Sequence, residues 1–532
     1  MAVKTAHVNM MTDTIIGNLS PEGLRAVMRG VLSAQPTATA AFEEQTRSYL
    51  NETGSRYEKV VLVADGSLDA NSLGELRRRV CCMVGCGMCY QALPLLSQVV
   101  EQVASLEAVE GDAIAGVDGD IVQALTAIQK TLLVPTGTRV LSDKESQPLN
   151  DLYKALLSCR ETLESRNQPF PMERGLDATS QLLGLSPEIE SKESTLTEPS
   201  ITLITESWTL NSAVLPRLFT GLWQLSSPAW GAASRAKMMQ QFSSYVSRGF
   251  TAFDMADHYG DAEIIFGRYR SSSAHSESLF AATKYCVFHP MRVTKEAVQA
   301  NVAERCRRLN TDRIDLLQFH WQFYDDEQYI TALQYLQQDD RITNLGLCNF
   351  DTQHMKRVVD AGVKIVTNQV QFSLIDSRPR HRMLEYCEKN DIKLLTYGTL
   401  CGGLLAEKWL GQEAPDLYSD KTTPSQRKYY AMIRAWGGWT LFQELLRVLQ
   451  GIARKHSVSI SNVATRWVLD FPAVGAVIVG ARMGVSEQST ENLASLGWTL
   501  DGEDRAAIEG ILQRSSRDGM FESMGDCGGE YR

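Results

Sequence analysis

Four residues of this chain, Asp254, Tyr259, Lys284 and His320, combine types and order suited to proton transfer. Each stands at or just beyond the end of a short apolar run: TAFDMAD leads to Asp254 and Tyr259, LFAATKY to Lys284, and IDLLQFH to His320. A phenol, of ordinary pKa about 10, can give its proton to an oxyanion, and a nearby ammonium favours the phenolate that remains, each pKa unit being worth about 1.4 kcal/mol. Lys284 can supply that ammonium and Asp254 can hold it charged. His320 can donate a hydrogen bond to the same oxygen and fix its orientation. A single Tyr or Asp after a strand is most often a loop residue or a cap, but four in order at successive run ends form a pattern.

A second cluster, CCMVGCGMC, sets Cys81, Cys82, Cys86 and Cys89 close together. Thiolates at this spacing can ligate zinc or an iron–sulfur cluster, and the last three follow CxxxCxxC. No second CxxC pair follows at zinc-ribbon distance, and helical periodicity runs from LGELRRRV into QALPLLSQVV. The segment therefore reads as buried cysteines at a helix junction around Gly85 and Gly87, with no metal expected; metal ligation and thiol redox sensing are the alternatives.

The elements that must hold the four residues begin near Ser200. Eight apolar runs, RLFTGLWQL, TAFDMAD, LFAATKY, IDLLQFH, ITNLGLCNF, IVTNQVQFS, IKLLTYGT and VGAVIVGA, alternate with amphipathic stretches such as KEAVQANVAERCRRL. That alternation predicts a parallel sheet closed into a (β/α)8 barrel over residues 200–515, whose functional groups gather at the C-terminal strand ends. An open doubly wound sheet would carry a Gly-rich turn after its first strand, and none is present.

At 532 residues the chain exceeds the roughly 250–300 that one core supports, so a second domain is expected. Residues 1–166 read as mainly helical. SPEGLRAVMRGVLSAQ has a Ser20 cap, Pro21 at the first helical position and one apolar face to bury; DGDIVQALTAIQKTLL and LNDLYKALLSCRETL repeat the period. Residues 167–199, rich in Pro, Ser and Glu, read as a linker that few contacts cross, and 516–532 as a C-terminal tail. Hydrophobic residues make up 44% and charged ones 22%, and no run could span a bilayer. The net charge of −10 disfavours nonspecific nucleic-acid or membrane binding, and eleven cysteines without disulfide-scaffold density, with no secretory leader, suit a cytoplasmic protein.

In the order of its motifs the chain resembles the aldo-keto reductase superfamily: FDMADHYG at Asp254 and Tyr259, TKY at Lys284, LLQFHW at His320, GLCNF at Asn349, NQVQFS at Gln369, TYGTL at Tyr397, and VIVGARMGVSEQSTENL near the end. A closer likeness is to a plant and fungal branch sharing the FDMADHYG form and a GDCGGEYR-like tail. The resemblance covers roughly Pro216 to Leu512 and implies a catalytic tetrad of Asp254, Tyr259, Lys284 and His320. A histidine, where relatives that reduce carbon–carbon double bonds have glutamate, implies reduction of a carbonyl compound. It also implies a nicotinamide cofactor, with Asn349 and Gln369 on its carboxamide and Tyr397 stacked on its ring. Gly480, Arg482, Gln488 and Asn492 would hold the adenosine and its phosphates, and Arg482 would answer the 2′-phosphate of NADP. Cys348 stands where many relatives carry serine. Trp223 and Trp321 are expected to line an aromatic substrate pocket, and the insert from about Cys401 to Lys428 to form its rim. Two further readings are a cofactor-sensing regulatory protein built on the same barrel, and a helical domain that docks the reductase on a protein partner.

Overall fold

The computed structural model describes residues 10–531 except 58–59, 65, 108–111, 135–136, 186–199, 203–205, 227–229, 232, 418 and 420–421. Its C-terminal part is a closed barrel of eight parallel strands. They are β1 (Leu218–Gly221), β2 (Ala252–Asp254), β3 (Phe280–Val287), β4 (Leu316–Trp321), β5 (Leu345–Cys348), β6 (Thr367–Gln371), β7 (Lys393–Tyr397) and β8 (Val474–Gly480). Six of the strands lie within the apolar runs; β3 continues two residues past its run, through Cys286 and Val287, and β4 one, through Trp321, so Lys284 and His320 lie within their strands and not at the last residue. β8 closes on β1 with Val477 opposite Leu218 and Gly480 opposite Gly221. Every residue of β3 and β4 is buried, as strands covered on both faces require.

The barrel interior is filled by Phe219, Ala252, Phe280, Ala282, Leu316, Leu395, Ala476 and Ile478. A hairpin of Ser207–Leu210 and Ala213–Pro216 precedes β1, and its Trp208 joins this interior cluster. The ring lies so close to Gly475 that a Cβ there would stand 3.0 Å from it.

The helical part holds α1 (Met10–Asn18), α2 (Pro21–Ala34), α3 (Thr39–Glu52), α4 (Ala70–Gly85), α5 (Cys89–Val103), α6 (Asp112–Leu132), α7 (Asp143–Ser165) and α8 (Glu173–Leu182). Its apolar core, from Leu50 to Leu176, is a separate cluster from that of the barrel. Two expectations change here. Helix α2 forms with its Ser20 cap accepting from Gly23 N at 3.1 Å, yet none of its residues is buried and Val27, Met28 and Val31 remain exposed. The segment read as linker begins with an ordered helix, α8, whose Leu176 and Thr179 are buried; its remainder, 186–199, lies outside the described residues. No helix among the described residues is long and apolar enough to cross a membrane.

Polar pairs cross between the parts. Asp177 of α8 pairs with Arg235 at 2.8 Å and Arg268 at 2.6 Å, and Arg307 donates to Gln181 at 3.1 Å. Contacts therefore do cross from the helical part to the barrel.

Candidate active site

Strand β2 ends on Asp254, and its carboxylate is the hub of the barrel mouth. Oδ2 accepts from Lys284 Nζ at 2.6 Å; Oδ1 accepts from Gln369 Nε2 at 2.7 Å and Gln318 Nε2 at 3.0 Å. All four side chains are buried, and this many donors is what a buried carboxylate needs. Lys284 also donates to Met255 O at 2.7 Å, so two of its three N–H groups are spent. Burial works against the charged lysine, but the Asp254 carboxylate outweighs it, and its pKa is raised. It is an ammonium.

That ammonium lies 4.9 Å from the centroid of the Tyr259 ring. Burial raises the phenol's pKa well above its ordinary value, while Lys284 lowers it by a smaller amount. The lysine therefore acts in the expected direction without bringing the phenol down toward neutrality. Tyr259 is held as a neutral phenol, with its proton in place.

A series of rings links Tyr259 to His320. The centroid of Tyr259 lies 4.8 Å from that of His258, His258 lies 4.9 Å from Phe288, and Phe288 lies 5.6 Å from His320. On its other side His320 meets Tyr531 edge-on at 5.7 Å.

Tyr531 and Lys428, like Gln318, are residues that sequence reasoning did not single out. The Tyr531 hydroxyl lies 2.8 Å from that of Tyr397, which donates to Asn349 Oδ1 at 2.9 Å. Lys428 donates to the Tyr531 hydroxyl at 3.2 Å and sits over the rings of Tyr397, Tyr429 and Tyr531 at 5.3–5.9 Å. Of the insert expected to form the rim, it is the last residue, Lys428, that reaches Tyr531 and the Tyr397 ring. Glu530 is anchored by Arg378 at 2.9 and 3.0 Å, which fixes the tail across the mouth. The GDCGGEYR tail was the only available signal, and its composition does not reveal where it folds.

Asn349 adopts a left-handed backbone, φ 59°, and its N–H donates to Gln369 O at 2.8 Å. Both amide hydrogens of Gln369 are taken, by Asp254 and by Gln318 Oε1 at 2.9 Å, which leaves its oxygen as the group able to meet a carboxamide N–H. Burial pushes the Cys348 thiol up to about 12, so it is neutral where a serine hydroxyl was the comparison. Gly480 lies under Gln224, and a side chain there would collide with that amide. Arg482 is exposed and, among the described residues, has no carboxylate within ion-pair distance. It lines a cavity with Gln224, Trp230 and Arg174. Gln488 precedes the short helix Ser489–Leu493, which contains Asn492, without a side-chain capping hydrogen bond.

The two tryptophans part company. Trp223 is 39% exposed and packs against Trp230 with centroids 5.1 Å apart. Trp321 is buried, lies on Phe319 at 6.0 Å and donates to Phe323 O at 2.8 Å, so its visible contacts belong to the core. Three of the four cysteines of CCMVGCGMC have separate partners, Cys81 with Asp120, Cys86 with Met83 O and Cys89 with Gly87 O, and Cys82 is exposed. Among the described residues the one group with converging metal-type ligands is Asp257, His258 and Cys286. Asp257 there already faces Lys130 and Arg305, and burial keeps Cys286 a neutral thiol, which is a poor donor set for a cation.

Residues 217–513 match the family model described as Aldo/keto reductase family. An aldo-keto reductase of Bacillus subtilis (strain 168) is 25% identical over 315 residues, spanning 57% of this chain and 91% of that protein. The NADH-specific methylglyoxal reductase of Escherichia coli (strain K12) is 22% identical over 333 residues, spanning 57% of this chain and 96% of that protein. A solved glycerol dehydrogenase from Gluconobacter oxydans shares the fold with a TM-score of 0.50 and 24% identity, over 58% of this chain and 96% of that one.

Proposed function

The chain belongs to the aldo/keto reductase family and is an NAD(P)H-dependent oxidoreductase acting on carbonyl compounds; from that premise we propose that it reduces an aldehyde or ketone with Tyr259 as proton donor. The observation that carries this reading is the buried Lys284 ammonium, held by Asp254 at 2.6 Å and standing 4.9 Å from the Tyr259 ring. A bound nicotinamide supplies the hydride. The protein's part is to hold the carbonyl oxygen where a proton can reach it. Tyr259 gives that proton to the developing oxyanion, and Lys284 stabilises the phenolate left behind. Asp254 keeps Lys284 charged and in place, and His320 orients the carbonyl by a hydrogen bond.

For the cofactor, we assign Asn349 and the Gln369 oxygen to the carboxamide and Tyr397 to the ring face. The neutral amides and the aromatic ring fit a flat carboxamide-bearing group. Gly480, Gln488 and Asn492 would flank the adenosine. Arg482, exposed and without an ion-pair partner among the described residues, supports NADPH over NADH, although the Escherichia coli relative is NADH-specific. Phe288, Tyr531 and Trp223 would wall the substrate pocket, with Trp321 backing it from the core. The test is loss of 340 nm absorbance with NADPH, then NADH, against a panel of aldehydes and ketones. Turnover favouring NADPH is expected. Cofactor binding without turnover of any member would favour a cofactor-sensing protein instead.

A further inference from the structure

The loop that carries Tyr259 is held from outside the barrel. Two residues before it, Asp257 is buried; its Oδ2 accepts from Cys286 N at 3.1 Å, and its Oδ1 lies 3.9 Å from Nζ of Lys130, on α6. Two residues after it, Asp261 accepts from Arg174 of α8, Nε to Oδ2 at 2.7 Å and Nη2 to Oδ1 at 2.5 Å, with both side chains at most 5% exposed. Gly260, between the acid and Asp261, has φ +58°, and a Cβ on it would stand 2.8 Å from Leu225 O. The turn therefore has little room to relax. Arg174 is itself seated: the next N–H, of Gly175, donates to Asp118 Oδ1 of α6 at 2.6 Å, and a Cβ on Gly175 would lie 2.8 Å from Ile121. The helical and barrel cores remain separate clusters. Val122 of α6 also packs against Gly260, but the Arg174–Asp261 pair adds what an apolar contact cannot, a charged and directional hold on the loop.

We infer that the helical domain is a working part of the active site, with Arg174 and Lys130 as positioning residues that set the Tyr259 phenol through Asp261 and Asp257. A bidentate guanidinium–carboxylate pair fixes orientation as well as distance, and a misplacement of about 1 Å at a reacting group can cost on the order of 10² in rate. The inference rests on the reading of Tyr259 as the proton donor.

The test uses the full chain, with NADPH and methylglyoxal as the probe. Arg174→Met should lower kcat at least tenfold with the Kd of NADPH changed less than threefold, and Arg174→Lys should recover part of the loss. Combined with Tyr259→Phe, and compared at saturating NADPH because Arg174 also lines the cavity beside Arg482, Arg174→Met should add little further loss, because a loop that positions an absent proton donor has nothing left to set. A purely structural role would leave the two losses multiplicative. Lys130→Met, at a partly exposed side chain that the fold can spare, should lower kcat threefold or more and keeps the question open to measurement should Arg174→Met not fold. Wild-type kcat in Lys130→Met and Arg174→Lys, or multiplicative losses in the double variant, would overturn the inference. Near-normal turnover in Tyr259→Phe alone would instead overturn the proton-donor reading.

Discussion

At Tyr259 two forces oppose each other, and burial wins over the field of Lys284, leaving a phenol that keeps its proton. In the proposed mechanism the ammonium matters at the moment of transfer, when the phenolate forms. Lys284→Met should therefore act on two observables. Asp254 would keep Gln318 and Gln369 but lose its cation, and removing one partner of a buried pair costs roughly 3–5 kcal/mol. Turnover should fall together with stability, and the fall should overlap that of Tyr259→Phe, since both serve one proton transfer. An unchanged thermal midpoint would mean that Asp254 is satisfied without the lysine. Asp254, Tyr259, Lys284 and His320 stand out in the sequence because residue type and place near a run's end are both written there, and the structure brings Asp254, Lys284 and Tyr259 into contact. The hub role of Gln318 was not: its side chain reaches Asp254 from two strands away, a contact that no local pattern encodes.

At the scale of elements, the strands were legible because each is a short apolar run between amphipathic helices, and a strand buried on both faces has little other way to read. Helices were less so. The period of α2 is clear, but periodicity states only that a face is apolar, and nothing among the described residues covers it. Helix α8 was hidden by its polar composition, since much of what it does is ionic. Its seam with α6 carries a pH signature: burial pushes Asp118 up to about 7, against the lowering effect of Arg174. A carboxyl whose folded pKa lies above its unfolded value contributes stability that is fully present below the unfolded pKa, near 4, and is lost as pH rises through about 7. The wild type should therefore lose stability across that window. Asp118→Asn keeps an acceptor for Gly175 N and cannot ionise, so its unfolding midpoint should change less between pH 4 and pH 7. Parallel curves for the two proteins would show that Asp118 does not titrate there.

At the scale of the molecule, two separate apolar cores are joined by ion pairs at Asp177 and Asp261, and that arrangement separates stability from activity. Residues 200–532 alone should fold, because the barrel keeps its own core, and should bind NADPH, because the proposed cofactor residues all lie within it. Their turnover should fall by at least tenfold, since Asp257 and Asp261 lose Lys130 and Arg174. Full activity in that fragment would remove the helical domain from the mechanism. The central claim, that the whole chain is a carbonyl reductase with Tyr259 as its acid, is tested most directly by Tyr259→Phe in the full-length protein. The change removes the phenolic proton and keeps the ring against His258 and Lys284. The rate of NADPH oxidation by a good aldehyde should drop by about 10² to 10⁴, with the Kd of NADPH, read from tryptophan quenching, essentially unchanged, because the lost interaction belongs to the transition state. Turnover within a few fold of wild type would contradict the account.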